Sequence, residues 1–259
     1  MNILTSQLPS GGYGYNFPSV NVSPMNFLQI CNYVENCPAE TQPLERYLYD
    51  INMLCEEDPK IQDCYLMDID FLIFYKKLCT ISGDLNYNIT VRCPHCGEKI
   101  NKPVAIDKDI HFKGIDEKVM NGAKIELGGK VYDTIIPTFR QFMRVFQRYL
   151  VYKKITNLKM IKTIALIDDN GSNGNQIEDA VLGAKHEDIT LLLALRELYY
   201  DRIEPIEVTC PNCSKDKKVK VDKTGRRGVV TVSVENLAVD FFPDIINNNP
   251  IDGSKVLFK

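Results

Sequence analysis

Apolar residues recur at three- and four-residue steps through much of the chain. The clearest stretch runs from Pro43 to about Glu56, where Leu44, Tyr47, Leu48, Ile51, Leu54 and Cys55 define one helical face. An earlier helix is predicted from Ser23-Pro24, a capping serine followed by a proline at the first helical position, with Phe27, Ile30, Cys31 and Val34 inward. Met67 to Ile81 reads as a third helix, ended by Ser82-Gly83. Its Asp68 and Asp70 near the start and Lys76 and Lys77 near the end suit the helix macrodipole, which is the role expected of those aspartates. Pro137-Thr138 opens a helix lined by Phe139, Phe142, Met143, Phe146, Tyr149 and Leu150, with Arg140, Arg144 and Arg148 laddered on another side. Leu158 to Ile167 and His186 to Asp201 complete the helical set, and the nearly all-apolar middle of the last predicts a central position.

Between these helices the pattern changes. Tyr87 to Arg92 and Ile203 to Thr209 are strand-like, Ile100 to Ile106 reads as a returning strand, and Val229 to Val234 reads as another. Alternating residues around Gly128-Gly129, from Ala123 to Asp133, predict a hairpin. Residues 1–22, broken by Pro9, Gly11, Gly12, Gly14 and Pro18, predict an extended N-terminal arm. Its Tyr13, Tyr15 and Phe17 need a surface, either the chain's own body or a neighbouring subunit, and they are the candidate partner-binding residues.

The two strands lead into matching cysteine knuckles, Cys93-Pro94-His95-Cys96 and Cys210-Pro211-Asn212-Cys213. The C-P-x-C spacing turns two sulfurs toward one tetrahedral ion, so Cys93, Cys96, Cys210 and Cys213 are candidate ligands for a single structural Zn2+. More than a hundred residues separate Cys96 from Cys210, which leaves two arrangements open. Either the knuckles share one ion across a helical insertion, or each completes its own site with other ligands such as His95 and His111. Four thiolates leave no position for an activated water, so the ion's role is folding energy, about 10 kcal/mol or more. Cys31, Cys37, Cys55, Cys64 and Cys79 lie in or beside apolar helical patterns and read as small buried hydrophobes.

The fold class expected is therefore α+β, a helical part plus a zinc-ribbon-like antiparallel β part formed by the two knuckles. The segments run as the arm 1–22, a helical region 23–84, the first knuckle and hairpin 85–136, a helical insertion 137–202, the second knuckle 203–234 and a C-terminal segment 235–259.

Composition narrows the function classes. The chain has 259 residues, 44% hydrophobic and 25% charged, with a net charge of -3, which argues against dominant nucleic-acid affinity. No apolar run approaches the roughly 20 residues of a membrane span and no signal-peptide pattern opens the chain, so an intracellular product is expected. Nine cysteines without an export signal favour reduced thiols and metal over disulfides. Asp168 to Asn175 resembles a calcium loop only superficially, because the pattern of alternating acidic ligands ending in a glutamate at the twelfth position is missing. No G-x-S-x-G, phosphate loop or H-E-x-x-H is present, and His186 reads as a helix-start residue, so no enzyme is expected. Lys215, Lys217, Lys218, Lys220 and Lys223 crowd what reads as the return strand of the second knuckle. Asp216 and Asp222 interrupt them and no aromatics are interleaved, so a charge-protected sheet edge is expected before a nucleic-acid grip.

One order of motifs goes further. Leu8-Pro9-Ser10-Gly11-Gly12-Tyr13-Gly14-Tyr15, then Met67-Asp68-Ile69-Asp70-Phe71-Leu72-Ile73-Phe74, then Ser82-Gly83, a strand and the Cys93/Cys96 pair resemble the T4-like phage baseplate hub proteins over roughly the first 110 residues. The resemblance implies a structural or assembly component of a contractile-tail baseplate. Its partners would be other baseplate, hub and tail proteins, with no small-molecule substrate and no membrane. It would reside in the virion, and in the host cytoplasm during assembly. The rival class is a zinc-ribbon nucleic-acid-binding regulator using the Lys215 to Arg227 cluster.

Overall fold

The structure, a computed structural model, describes residues 1–38, 41–82, 86–113, 120–152, 157–167, 179–181, 183–200, 203–222 and 225–232. The polar loop Asp168 to Asn175 and the C-terminal segment 235–259 lie outside the described residues. Six helices of more than one turn are described: α1 (Phe27–Asn36), α2 (Pro43–Glu57), α3 (Leu66–Ser82), α4 (Phe139–Tyr152), α5 (Leu158–Ile164) and α6 (His186–Tyr200). Four antiparallel hairpins accompany them, pairing β1 (Asn2–Leu4) with β2 (Ser19–Asn21), β3 (Asn86–Arg92) with β4 (Lys99–Ala105), β5 (Lys124–Leu127) with β6 (Lys130–Asp133), and β7 (Ile206–Thr209) with β8 (Val229–Val232). The α+β class is as expected, and no helix among the described residues is long and apolar enough to cross a membrane.

Two compact units interleave along the sequence rather than following one another. The first gathers Met1–Ser23, Gln42–Lys76 and Ile110–Glu204, and the second Pro24–Thr41, Lys77–Asp109 and Pro205–Lys259.

In the first unit, α2 buries Leu44, Tyr47, Ile51 and Leu54 as its periodicity predicts. The run Leu66 to Leu72 of α3 is buried on nearly every side, as suits a helix that is apolar all round. Helix α4 contributes Phe139, Phe142, Val145 and Phe146. It begins with a reciprocal cap in which the Thr138 N–H donates to Gln141 Oε1 and the Gln141 N–H donates to Thr138 Oγ1. Of the arginine ladder, Arg140 pairs with Asp63 at the surface, where such a pair adds little stability.

Three expectations change in the first unit. Residues 1–22 are not an extended arm. The β1–β2 pairing closes them into a loop, and Tyr15 stacks on Phe17 at 4.8 Å and on Tyr65 at 5.2 Å between ring centroids. Packing on the chain's own body is thus the alternative taken by Tyr15 and Phe17, while Tyr13 is exposed and donates from its hydroxyl to Asn121 Oδ1. Asp68 and Asp70 do more than balance a helix dipole. Asp68 is fully buried and accepts from the Ser10 N–H at 2.8 Å, the Ser10 hydroxyl at 2.6 Å and the Tyr15 hydroxyl. Asp70 accepts from the Tyr47 hydroxyl at 2.7 Å and from Lys162 Nζ at 2.7 and 2.8 Å, and the ammonium lies over the Tyr47 ring. Helix α6 is not central. Leu192, Tyr199 and Tyr200 are buried, while Ile189, Leu191, Leu193 and Leu198 are each between 41% and 45% exposed.

In the second unit, α1 starts at Phe27 and not at Ser23-Pro24. Asn26 outcompetes the serine because its side chain accepts the Gln29 N–H while Gln29 Oε1 accepts the Asn26 N–H, satisfying two helix-end donors at once. Its inward face is not the one the spacing predicted: Tyr33 is buried, while Phe27, Leu28 and Val34 are exposed.

The Asp68 anchor makes the N-terminal loop part of the fold. Tyr15→Phe removes a donor to a buried carboxylate and the acceptor of the Tyr65 N–H. A loss of about 1–3 kcal/mol is expected as a lower urea midpoint, and an unchanged midpoint would show the loop to be dispensable. Burial raises the Asp68 carboxyl from 3.8 to about 6 against the opposing hydrogen bonds from Ser10 and Tyr15. The folded form therefore holds the extra proton between those values. The stability this contributes is complete below the unfolded pKa and is lost as pH rises through about 6. Between about pH 4 and about pH 7 the urea midpoint should fall more steeply in the native chain than in Asp68→Asn, and parallel curves would refute the assignment.

Candidate metal centre

The four knuckle cysteines lie in the second unit, at the ends of β3–β4 and β7–β8. Strand β3 delivers Cys93 directly after Arg92, and the register Arg92↔Lys99 leaves the knuckle as the hairpin's own turn. Within it the Cys93 N–H donates to Glu98 O at 2.8 Å and the Gly97 N–H to Cys93 O at 2.9 Å, which curls the backbone around the sulfurs. The second knuckle follows β7 but is built differently. Thr209 pairs with Val229, so the return strand lies beyond a long irregular loop, and Lys215 to Lys220 belong to that loop and not to a strand. The expected charge-protected edge is therefore absent there.

Gly228 closes the second knuckle. Its carbonyl accepts the Cys210 N–H at 2.8 Å, and its φ of +66° is left-handed. A Cβ at this position would lie 2.7 Å from Cys213 Cβ and 2.8 Å from the Ser214 nitrogen. Only glycine allows the chain to pass this close behind the cysteine. Asn212 Nδ2 donates to Glu98 Oε2 at 3.2 Å, and Lys102 Nζ donates to Glu207 O at 3.0 Å, so side chains of each hairpin hold the other.

These supports bring the four sulfurs within 4.8 Å of one another, with Cys93 Sγ 3.7 Å from Cys213 Sγ and Cys96 Sγ 3.6 Å from Cys210 Sγ. A tetrahedral ion about 2.3 Å from each sulfur requires edges of about 3.8 Å. The cluster fits such an ion, and its sulfur separations are far beyond the roughly 2 Å of a disulfide. Cys93, Cys210 and Cys213 are buried and Cys96 is exposed. The titration of the cluster is uneven. Burial pushes Cys93 up, but the N–H groups of Cys96 and His95 outweigh it and bring the thiol down to about 6. The neighbouring sulfur of Cys96 and burial raise Cys213. Four thiolates at this spacing repel one another, and a cation among them is what lets all four ionise together.

Of the two arrangements open from the sequence, the geometry is that of one shared cluster. His95 and His111 are exposed and are not among its members. Cys31, Cys37, Cys55, Cys64 and Cys79 lie outside it, and burial raises Cys55 to about 11, as expected of a thiol that remains protonated. Sequence reasoning missed Gly228, Glu98 and Asn212. The Arg226-Arg227-Gly228 turn carried a glycine signal, but only the approach of two remote segments gives it meaning. No protein-family model matches the sequence, no curated protein is similar to it, and no solved structure matches the chain.

The two knuckle glycines separate strain from collision. Gly97 also has a positive φ, +74°, but open space surrounds its Cβ position. Gly97→Ala should cost about 1–2 kcal/mol of backbone strain and retain the metal. Gly228→Ala displaces Cys213 and should weaken metal affinity at least tenfold in a chelator competition. Equal retention by the two variants would show that the close approach does not shape the site.

Proposed function

We propose that this chain is a zinc-stapled structural or assembly subunit of a contractile phage tail baseplate, acting in the hub region through protein–protein contacts. The observation that carries the reading is the meeting of the two segments on which the resemblance rests. Ser10 and Tyr15 of the N-terminal loop close on Asp68 of α3, so motifs more than fifty residues apart form one buried unit. A chance likeness of two separate peptides has no need to be joined in this way.

The sulfur cluster supports the same role. Cys93, Cys96, Cys210 and Cys213 would hold one Zn2+ in a zinc-ribbon-like arrangement, with all four positions filled by protein. The ion contributes folding energy by closing a chain segment of more than a hundred residues, and the ribbon becomes a rigid body on which contacts can be built. Exposed apolar side chains on α1 and α6, among them Phe27, Leu28, Leu191 and Leu193, give an assembly subunit contact surface beyond Tyr13, the loop aromatic left exposed when Tyr15 and Phe17 stack internally.

Depleting the chain from infected cells should leave tails without baseplates in negative-stain electron microscopy, and the chain should sediment with baseplate subassemblies. Normal baseplates after depletion would overturn the reading. The metal is tested separately by elemental analysis of the purified chain. One zinc per chain is expected, with loss of zinc and folded structure together in Cys93→Ser and Cys210→Ser. Folded, metal-free chain would remove the staple.

A further inference from the structure

Charge is segregated along this sequence. The two hairpins and their knuckles, residues 86–105 and 205–232, contain ten Lys or Arg and four Asp or Glu, while the whole chain is net -3. The ribbon thus carries six more basic side chains than carboxylates, an excess that outweighs the two net negative charges of a zinc ion held by four thiolates, inside an otherwise acidic protein. From the sequence, Asp216 and Asp222 interrupt the lysine run and divide its charge. The structure gives them other work.

Asp216 Oδ1 accepts the Lys218 backbone N–H at 2.8 Å. Asp222 Oδ1 accepts the Arg226 N–H at 2.8 Å, and its carboxylate pairs with the Arg226 guanidinium. Glu207 takes the same guanidinium in a two-bond fork, and Glu98 accepts from Asn212. Every carboxylate of the ribbon is therefore engaged inside it. Lys215, Lys217, Lys218 and Lys220 are exposed, and no ion pair to any of their ammonium groups is found among the described residues. Their loop is compacted by successive turns, with the N–H groups of Lys215, Asp216 and Val219 donating to Asn212 O, Cys213 O and Asp216 O. Four unneutralised cations are thus held on one short, folded loop beside the metal site.

We propose that this loop is a docking surface for the phosphodiester backbone of duplex nucleic acid, bound without sequence reading. Lysines present point charges and no planar fork for base edges, and no aromatic side chain lies among them to stack on an unpaired base. The highest density of phosphate charge is what such a patch selects, and duplex DNA presents one charge per roughly 1.7 Å of axis. The surface adds a second partner class to the assembly role and does not depend on it.

The test uses the full-length, metal-loaded chain and a fluorescein-labelled DNA duplex of about 20 base pairs, read by fluorescence anisotropy across a salt series. Four phosphate contacts predict a slope of log affinity against log salt of about -3.5, or about a hundredfold weakening between about 50 and about 200 mM salt. A duplex of scrambled sequence should bind equally. The Lys215→Gln, Lys217→Gln, Lys218→Gln, Lys220→Gln variant should lose the binding while retaining its metal. Binding that survives in this variant, or no binding at low salt, overturns the proposal. Competition by poly-glutamate equal to that by duplex, charge for charge, would also overturn it and assign the loop to an acidic protein face. Loss of metal from the variant would overturn it too, assigning the lysines to offsetting the negative charge of the thiolates. None of these results depends on whether baseplates form.

Discussion

Four sulfur atoms can share one small volume only if the backbone segments bearing them are brought together and their mutual repulsion is relieved. That constraint organises the second unit. Strands β3 and β7 each end at a cysteine, the Gly228 backbone passes behind Cys213 at a distance no side chain permits, and the Asn212–Glu98 and Lys102–Glu207 bonds join the hairpins. Two isolated two-stranded hairpins have little independent stability. A cation held among their thiolates would add closure energy to the small apolar contacts of Ile89, Ile100, Val104, Ile206 and Val208.

The first unit solves a similar closure problem with carboxylates. Asp68 and Asp70, two residues apart on α3, point to different partners, one to the N-terminal loop and the other to α2 and α5. Asp68 is fully buried and Asp70 half-buried, and a carboxylate withdrawn from water is costly unless its hydrogen bonds are filled, so each favours one arrangement of the segments around it. The Tyr15 hydroxyl illustrates the economy of the site, since it donates to Asp68 and accepts the Tyr65 N–H with one oxygen.

Both devices leave chemistry at the surface. The N-terminal loop spends Tyr15 and Phe17 on internal stacking, which moves the exposed apolar surface to α1 and α6. The two knuckle hairpins commit their carboxylates to backbone caps, Asn212 and Arg226, which leaves the lysines of the 215–220 loop exposed and without an ion pair among the described residues. In each case the side chains available to a partner are those that folding did not consume.

Local periodicity and spacing were enough to read α2, α3, the Gly128-Gly129 hairpin and the cysteine pairing within each knuckle, because each is fixed by residues a few positions apart. Elements chosen by competition between neighbours were read less well. Asn26 displaced Ser23 as the cap of α1 because a reciprocal partner stood three residues on, and the apolar middle of α6 did not make it central because only one line of its surface found a neighbour. The sequence by itself determined the α+β class and the four metal-ligating candidates, since ligand type and short spacing are properties of the local chain. Tertiary structure alone decided that the knuckles form one cluster, that Asp68 and Asp70 are anchors, and that the lysines of the 215–220 loop meet no carboxylate partner among the described residues. Each of these depends on which distant groups meet, and a linear pattern carries no record of that.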